Sequence, residues 1–232
     1  MKHLIETTDL SSLTRVDYDR IVLDSTANKI IVRGGYEYVD LGLPSGLKWA
    51  KCNVGAESET DYGDYFMWGS TSPDNNTDCS WLNAPFNGGN PEYNADAINS
   101  LKDTVCPNDV LVKEYDTASQ IMGSDWRIPT KDEIQELLVN TTNKWVENFN
   151  GTGRNGYKFT SKTDTSKYIF IPAAGNRQGS SSNYQGEVGG FWSSSFDTSI
   201  ATYAWSLVFD SEKSYMGRSY PYIGRSVRGV RK

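Results

Sequence analysis

The sequence predicts an α+β domain built mostly of short antiparallel strands, with two helices and long loops. Three observations carry this. The 232 residues include 21 glycines and few long apolar runs, the pattern of a turn-rich, β-dominated chain. Seven Trp, 14 Tyr and 8 Phe supply a core, because aromatic side chains carry large apolar area. One stretch, Thr130 to Asn140, has the start signal and apolar spacing of a helix. The length allows one large or two small domains.

In chain order, residues 1–19 are polar and weakly patterned. RIVLD and KIIVRG follow, two β-branched runs separated by Ser25, Thr26, Ala27 and Asn28, which reads as a β-hairpin. Residues 1–34 therefore form an N-terminal lead-in. It serves either as an attachment to a partner or trimer axis, or as an extra edge hairpin on the main domain. The main domain runs over 35–232. It opens with two short strands around Leu43-Pro44-Ser45-Gly46, a type I turn by its Pro and Gly positions. DYGDYFMWGS reads as a core strand. From Thr71 to Asp109 no period persists, and a loop of this length in a compact domain is commonly functional or disordered. A short helix is expected from Tyr115 to Met122, stopping at Gly123.

Thr130 and Glu133 form a capping box, in which each side chain satisfies an orphan backbone donor of the other residue. Ile134, Leu137 and Leu138 then share one helical face. After Lys144 the chain reads as strands: NKWVENFN, NGYKFTS and KYIFIPAAG, with Asn155-Gly156 as a hairpin-type turn. The match of Gly151 to Gly156 to a phosphate-loop pattern follows no strand-to-helix switch and reads as part of that hairpin.

The last stretch, Gly189 to Lys232, interleaves framework residues such as Trp192, Leu207 and Phe209 with dense Ser, Tyr, Thr, Asp and Arg. Tyr gives rigid amphipathic contact area, and Ser and Asn give adaptable hydrogen bonding. The stretch suits a displayed binding face; an ordinary half-exposed sheet with polar turns would look similar. Alternation over TYAWSLVF puts Tyr203, Trp205, Leu207 and Phe209 on one side. A bulge or strand end is then needed to turn Tyr203 and Trp205 outward. Candidate contacts are Asn183, Tyr184, Asp197, Ser199, Tyr203, Trp205, Ser206, Ser214, Tyr215, Arg218, Tyr220 and Tyr222. Arg218, Arg225, Arg228, Arg231 and Lys232 have no carboxylate nearby in sequence and are expected solvated or stacked at strand ends.

A net charge of −6 argues against a nucleic-acid binder or an anionic-membrane binder. No run of about 20 apolar residues spans a membrane. The first residues lack a signal-peptide apolar core, so the protein is expected either to stay in the cytoplasm or to reach a virion surface or the cell exterior by another route. Cys52, Cys79 and Cys106 fit no zinc pattern and are expected as buried thiols, with one disulfide plus a spare thiol as the alternative.

YVDLGLPSGLKWAKCNVGA, DYGDYFMWG, WRIPTKDEIQELL, IFIPAAGNRQG, GGFWSSS and GRSVRGVR occur in this order. Together they resemble the Fibrobacter succinogenes major paralogous domain family of gut bacteria and their phages, over 35–232. The resemblance implies a C-type-lectin-like fold and an adhesin-like or display role. Some relatives are variable proteins of diversity-generating retroelements, whose C-terminal part carries a mutated binding face; the spacing from Trp192 to Arg228 is similar to such a repeat. The implied partner is a cell-surface protein or glycan, engaged by a homo-oligomer. A fixed structural or pilus-associated surface domain is the alternative.

No enzyme is expected. Formylglycine-generating enzymes of the same fold use a late cysteine pair, and here no cysteine follows Cys106. His3 is the only histidine, which removes His-based triads. Asp61 with Asp64, and Asp132 with Glu133, are the available carboxylate pairs; the second sits at a helix start, where acids favour the dipole. No cofactor is expected. For Ca2+, the EPN, QPD and WND tripeptides of sugar-binding lectins are absent, and Asn90-Pro91-Glu92 is a reversed lookalike. Asp74, Asn75, Asn76 and Asp78 are the oxygen-rich loop a calcium ion would choose. Asn75, Asn140 and Asn150 match the glycosylation sequon.

Overall fold

The computed structural model describes residues 36–200 and 202–232, the side chains of 101 and 103 excepted, together with the strand backbones at 4–7, 20–24 and 29–33. The chain divides into two compact units, Met1–Glu37 and Tyr38–Lys232. The first holds β1 (Leu4–Thr7), β2 (Arg20–Asp24) and β3 (Lys29–Arg33). They form an antiparallel sheet in the order β1-β3-β2. The expected hairpin is β2–β3, with Asp24 opposite Lys29. β1 adds to the other side of β3, within the stretch read as weakly patterned. The turn 25–28 and His3 lie outside the described residues.

The second unit is a mixed α+β assembly of small antiparallel sheets. β4 (Tyr38–Asp40) and β5 (Lys48–Ala50) flank the expected turn. There the Gly46 N–H donates to the Leu43 carbonyl at 2.9 Å, and Gly46 takes φ 71°, which glycine adopts without strain. β14 (Val230–Arg231) completes this sheet, with Val230 opposite Trp49. β6 (Thr141–Val146), β7 (Gly156–Ser161) and β8 (Tyr168–Pro172) form a second sheet. β9 (Asn176–Gln178) and β10 (Ser181–Asn183) pair alone. β11 (Gly189–Phe196), β12 (Ala204–Phe209) and β13 (Ser214–Ser219) make the C-terminal sheet.

Among the described residues there are three α-helices, one more than expected: α1 (Ala95–Val105), α2 (Thr117–Met122) and α3 (Lys131–Asn140). α1 lies in the segment read as loop. Asn94 caps it, accepting from Ala97 N at 3.1 Å; the apolar spacing Ile98, Leu101, Val105 was its signal. α3 has the full capping box: Thr130 Oγ1 accepts from Glu133 N, and Glu133 Oε2 from Thr130 N. Its buried Ile134 and Leu137 join Leu41, Leu47, Trp49, Phe159, Ile169, Ile171, Phe191, Leu207, Phe209 and Val230 in one core.

Other expectations need correction. Tyr65 to Trp68 are buried as foreseen, but DYGDYFMWGS is not a strand beyond one bridge, Phe66 to Arg225. Its other donors go elsewhere: Tyr65 N to Asn75 Oδ1, Met67 N to Asp74 Oδ2 and Trp68 N to the Pro221 carbonyl. Asn155-Gly156 is not a two-residue turn, because β6 and β7 are joined through residues 147–155 and Gly156 already pairs with Val146. None of the three cysteines is in a disulfide. Cys79 and Cys106 are buried and Cys52 half-buried; burial pushes the Cys79 pKa up to about 11, so that thiol is unreactive. No helix among the described residues is long and apolar enough to cross a membrane.

Candidate functional site

The C-terminal sheet positions the predicted residues through one register. β12 and β13 set Trp205 opposite Arg218, Leu207 opposite Met216 and Phe209 opposite Ser214. Leu207 and Phe209 are buried in the core. Trp205, on the same side at the start of the strand, reaches the rim and is half-buried. The register of β11 shifts directly opposite it, between Trp192 and Phe196, so the expected irregularity and the strand end coincide here. Lys131 Nζ lies 3.8 Å from its ring centre and the Arg218 guanidinium 4.8 Å, both within cation–π range. Arg218 Nε stands 2.8 Å from Asp197 Oδ2. That oxygen forms no aligned hydrogen bond, so the contact is a charge pair rather than a directional bond.

Asp197 organises the turn that precedes β12. It is 2% exposed. Its Oδ1 accepts from Ser199 N at 3.0 Å and Ser199 Oγ at 2.6 Å, and its own N–H donates to the Tyr203 carbonyl. Asp197 is therefore buried rather than displayed, and it holds Ser199, Tyr203 and Arg218 in place.

From Tyr203 a stack of rings crosses the surface. Tyr203 and Tyr220 stack at 4.6 Å between ring centres, and Tyr220 and Tyr222 at 5.4 Å with an interplanar angle of 8°. Trp81 meets Tyr222 edge-on at 4.8 Å and Tyr220 at 5.7 Å, and Tyr93 continues from Trp81 at 5.3 Å. The Tyr203 hydroxyl donates to Tyr220 at 3.0 Å, which pushes the Tyr203 pKa up. Tyr220 is 38% exposed, and Tyr203, Tyr222, Trp81 and Tyr93 are half-buried. Five rings are thus held in contact with one another.

The other predicted residues separate. Ser206 is fully buried, 3.4 Å from Ser219 Oγ, and is corrected from contact to interior. Ser214 donates to Asn143 Oδ1 at 3.0 Å and ties β13 to β6. Tyr215 is exposed on the opposite side of β13 from Arg218. Asn183 and Tyr184 lie at the β10 end, Tyr184 60% exposed with φ 60°, and no ring contact joins Tyr184 to the stack among the described residues. Sequence reading missed Trp81, Tyr93 and Lys131. Nothing local marks the first two, which come from the long insertion; Lys131 follows the legible helix cap.

Two arginines expected at the surface are buried. Arg225 is 8% exposed and Arg228 0%, and burial pulls both down to about 10. Arg231 does stack, over Tyr38 and Trp126.

The oxygen-rich loop is engaged with the chain itself. Asp74 Oδ2 accepts from Met67 N, Asn75 bonds Tyr65 N and Asp64, and Asp78 Oδ2 accepts from Ser80 Oγ. Among the described residues no group of three His, Cys, Asp or Glu is placed to hold a metal ion. Comparison with protein-family models, curated proteins and solved structures returned no match to the chain.

Proposed function

We propose that this chain is a non-catalytic ligand-binding protein of C-type-lectin-like fold, receptor-binding or adhesin-like, that displays its C-terminal face to a cell-surface protein or glycan. The observation that carries the reading is the ring stack Tyr203–Tyr220–Tyr222–Trp81–Tyr93 at the surface. Rigid aromatic anchors lose little entropy on contact, and Tyr and Trp dominate binding hot spots. The neighbouring Lys131–Trp205–Arg218 cluster adds charge at the rim. The order of sequence motifs supports the family and with it a retroelement-diversified face. Virion or extracellular display, and avidity through a homo-oligomer, belong to the same reading.

The test is binding of the intact protein to glycan arrays and to surface-protein extracts of gut bacteria, beside Tyr220→Ala and Tyr222→Ala variants. A true face loses roughly tenfold or more in affinity for each hot-spot ring, while far-UV circular dichroism stays unchanged. Unaltered binding by both variants sinks the assignment to this face. Sequencing the codons for Gly189 to Lys232 across the source population tests diversification. Substitutions gathered at Ser199, Tyr220 and Tyr222, matching adenines of a nearby template, support it; invariant codons refute it.

A further inference from the structure

The helix of the long insertion borders a small apolar cavity beside the ring stack. Ile98, Lys102 and Val105, spaced along one face of α1, line it together with Trp68, Phe196 and Pro221. Its free volume is about 20 Å3. One water-sized group requires roughly 10–15 Å3, so the space takes a group of methyl size. The cavity is partly open to solvent. Among its lining residues all but Trp81 and Lys102 are buried, so these two flank the opening.

The wall offers water little. Asn87 directs its Nδ2 to the carbonyls of Trp81, Asn90 and Glu92, and its Oδ1 accepts from Asn94 N. Trp68 Nε1 donates to the Ser193 carbonyl at 2.8 Å, and Trp68 N to the Pro221 carbonyl at 2.8 Å. A buried water needs about two to four polar partners, and these groups are already engaged. An apolar group gains instead, by leaving water and by the dispersion contacts that the empty space forfeits. The opening adjoins the stack: Trp81 belongs to both, and Pro221 stands between Tyr220 and Tyr222 in the chain. Across the opening is Lys102, its ammonium 3.5 Å from Asp109 Oδ1 and its side chain 33% exposed.

We propose that this cavity takes the acetamido methyl of an N-acetylhexosamine whose sugar ring lies on the stack at Trp81 and Tyr222. The proposal rests on the ring-stack reading and deepens it by naming the ligand as an N-acetylated glycan. The C–H face of the sugar covers aromatic carbon, and its hydroxyls stay at the rim with the Tyr220 and Tyr222 phenols. The Lys102 ammonium is the donor at hand for the acetamido carbonyl. A plain hexose fills the platform and leaves the cavity empty. A protein methyl of the same size stands on a backbone whose N–H and C=O would be pressed against the rings, and burying such groups unpaired is costly.

The test is a titration of the full 15N-labelled chain with the methyl glycosides of N-acetylglucosamine, N-acetylgalactosamine, N-butanoylglucosamine and glucose, and with N-acetyl-alanine amide. The expected result is a saturable shift of the Trp81 indole N–H and of the Val105 backbone N–H with an N-acetyl glycoside. Its affinity should exceed that of the glucose glycoside about five- to tenfold, the worth of one buried methyl with its amide contact. The longer butanoyl chain should lose that advantage. Ala84→Val, which adds bulk to the cavity wall, should remove the N-acetyl preference and leave the glucose glycoside unchanged; if this variant fails to fold, the butanoyl comparison on the parent chain decides. Tyr222→Ala should weaken every glycoside about tenfold. Equal affinity for N-acetyl and glucose glycosides, both weakened by Tyr222→Ala, overturns the cavity assignment and leaves the ring-stack reading standing. A preference that survives Ala84→Val overturns it too, as does a failure of every glycoside to bind. Shifts produced by N-acetyl-alanine amide and by no glycoside overturn it in favour of a protein methyl.

Discussion

Arg225 and Arg228 lie three residues apart, both buried, and differ in what surrounds them. Arg228 donates from Nε to Asn53 Oδ1, from Nη1 to the Ala50 carbonyl and from Nη2 to the Phe170 carbonyl, at 3.0, 3.0 and 3.1 Å. It bolts β5, β8 and the C-terminal segment together. Arg225 has one bond, to Ser219, and an orphaned Nη1. Equal burial therefore accompanies opposite degrees of satisfaction. A buried cation ringed by neutral acceptors is a structural part; one left short of acceptors keeps an uncompensated charge. Both are held at about 10 by burial. Between that value and the ordinary arginine value the unfolded chain keeps protons that the folded one releases, so for these two groups rising pH favours folding.

The contrast can be broken by substitution. Arg228→Met should be the most damaging change, about 3–5 kcal/mol, because it leaves three buried acceptors without donors; urea unfolding measures it. A loss no larger than that for Arg225→Met would erase the distinction. A third arginine sharpens the comparison. Arg127 is half-exposed and forks onto Glu133, with Nη1 2.7 Å from Oε2. Burial alone would raise the Glu133 pKa, but the Arg127 fork and the Thr130 N–H outweigh it and hold the carboxyl below its usual value. Glu133→Gln should lower stability by about 1–2 kcal/mol near neutrality through the cap and the fork. Because the folded-state value is depressed, that contribution is complete above the ordinary glutamate pKa and disappears as pH falls through the folded one. Urea midpoints of the two proteins should therefore converge in acid, and a constant gap would contradict the assignment.

Arg225→Met, which removes an uncompensated charge and keeps most of the volume, should fall within about 1 kcal/mol of the parent or exceed it. The smallest effect is expected for Ser226→Ala. Its hydroxyl has no partner, so the unfolding midpoint should hold steady or rise by a few tenths of a kcal/mol, roughly the range of innocuous changes. A marked fall would reveal a partner for that oxygen.

These arginines also mark where sequence reading stops. Features written within a few residues were legible: the Thr130–Glu133 box, the turn at Gly46, and the alternation that puts Leu207 and Phe209 inward. The burial of Arg225 and Arg228 was not, because nothing within the tail separates them from Arg231, which stacks as expected. Asn53, Ala50 and Phe170 decide for Arg228, and all are far away in the chain. The ring stack shows the same division. Tyr203, Tyr220 and Tyr222 were read from their own stretch, whereas Trp81 and Tyr93 arrive from an insertion whose helix was missed. Asn94 and the Ile98, Leu101, Val105 spacing were present, but Gly, Pro and Asn around them read as loop. Ser206 was taken for a contact by composition, and the cross-strand register with Gly217 and Trp192 put it inside.

The pairing of Trp49 with Val230 has a consequence for synthesis. β5 leaves the ribosome long before its partner β14, so this sheet cannot close until β14 has also emerged. Arg228 joins the same closure from the same late segment. Trp49, Leu41 and Leu47 wait without their final cover until that segment is made, and such exposed apolar surface invites aggregation. Folding of this unit is therefore completed only once β14 has left the ribosome.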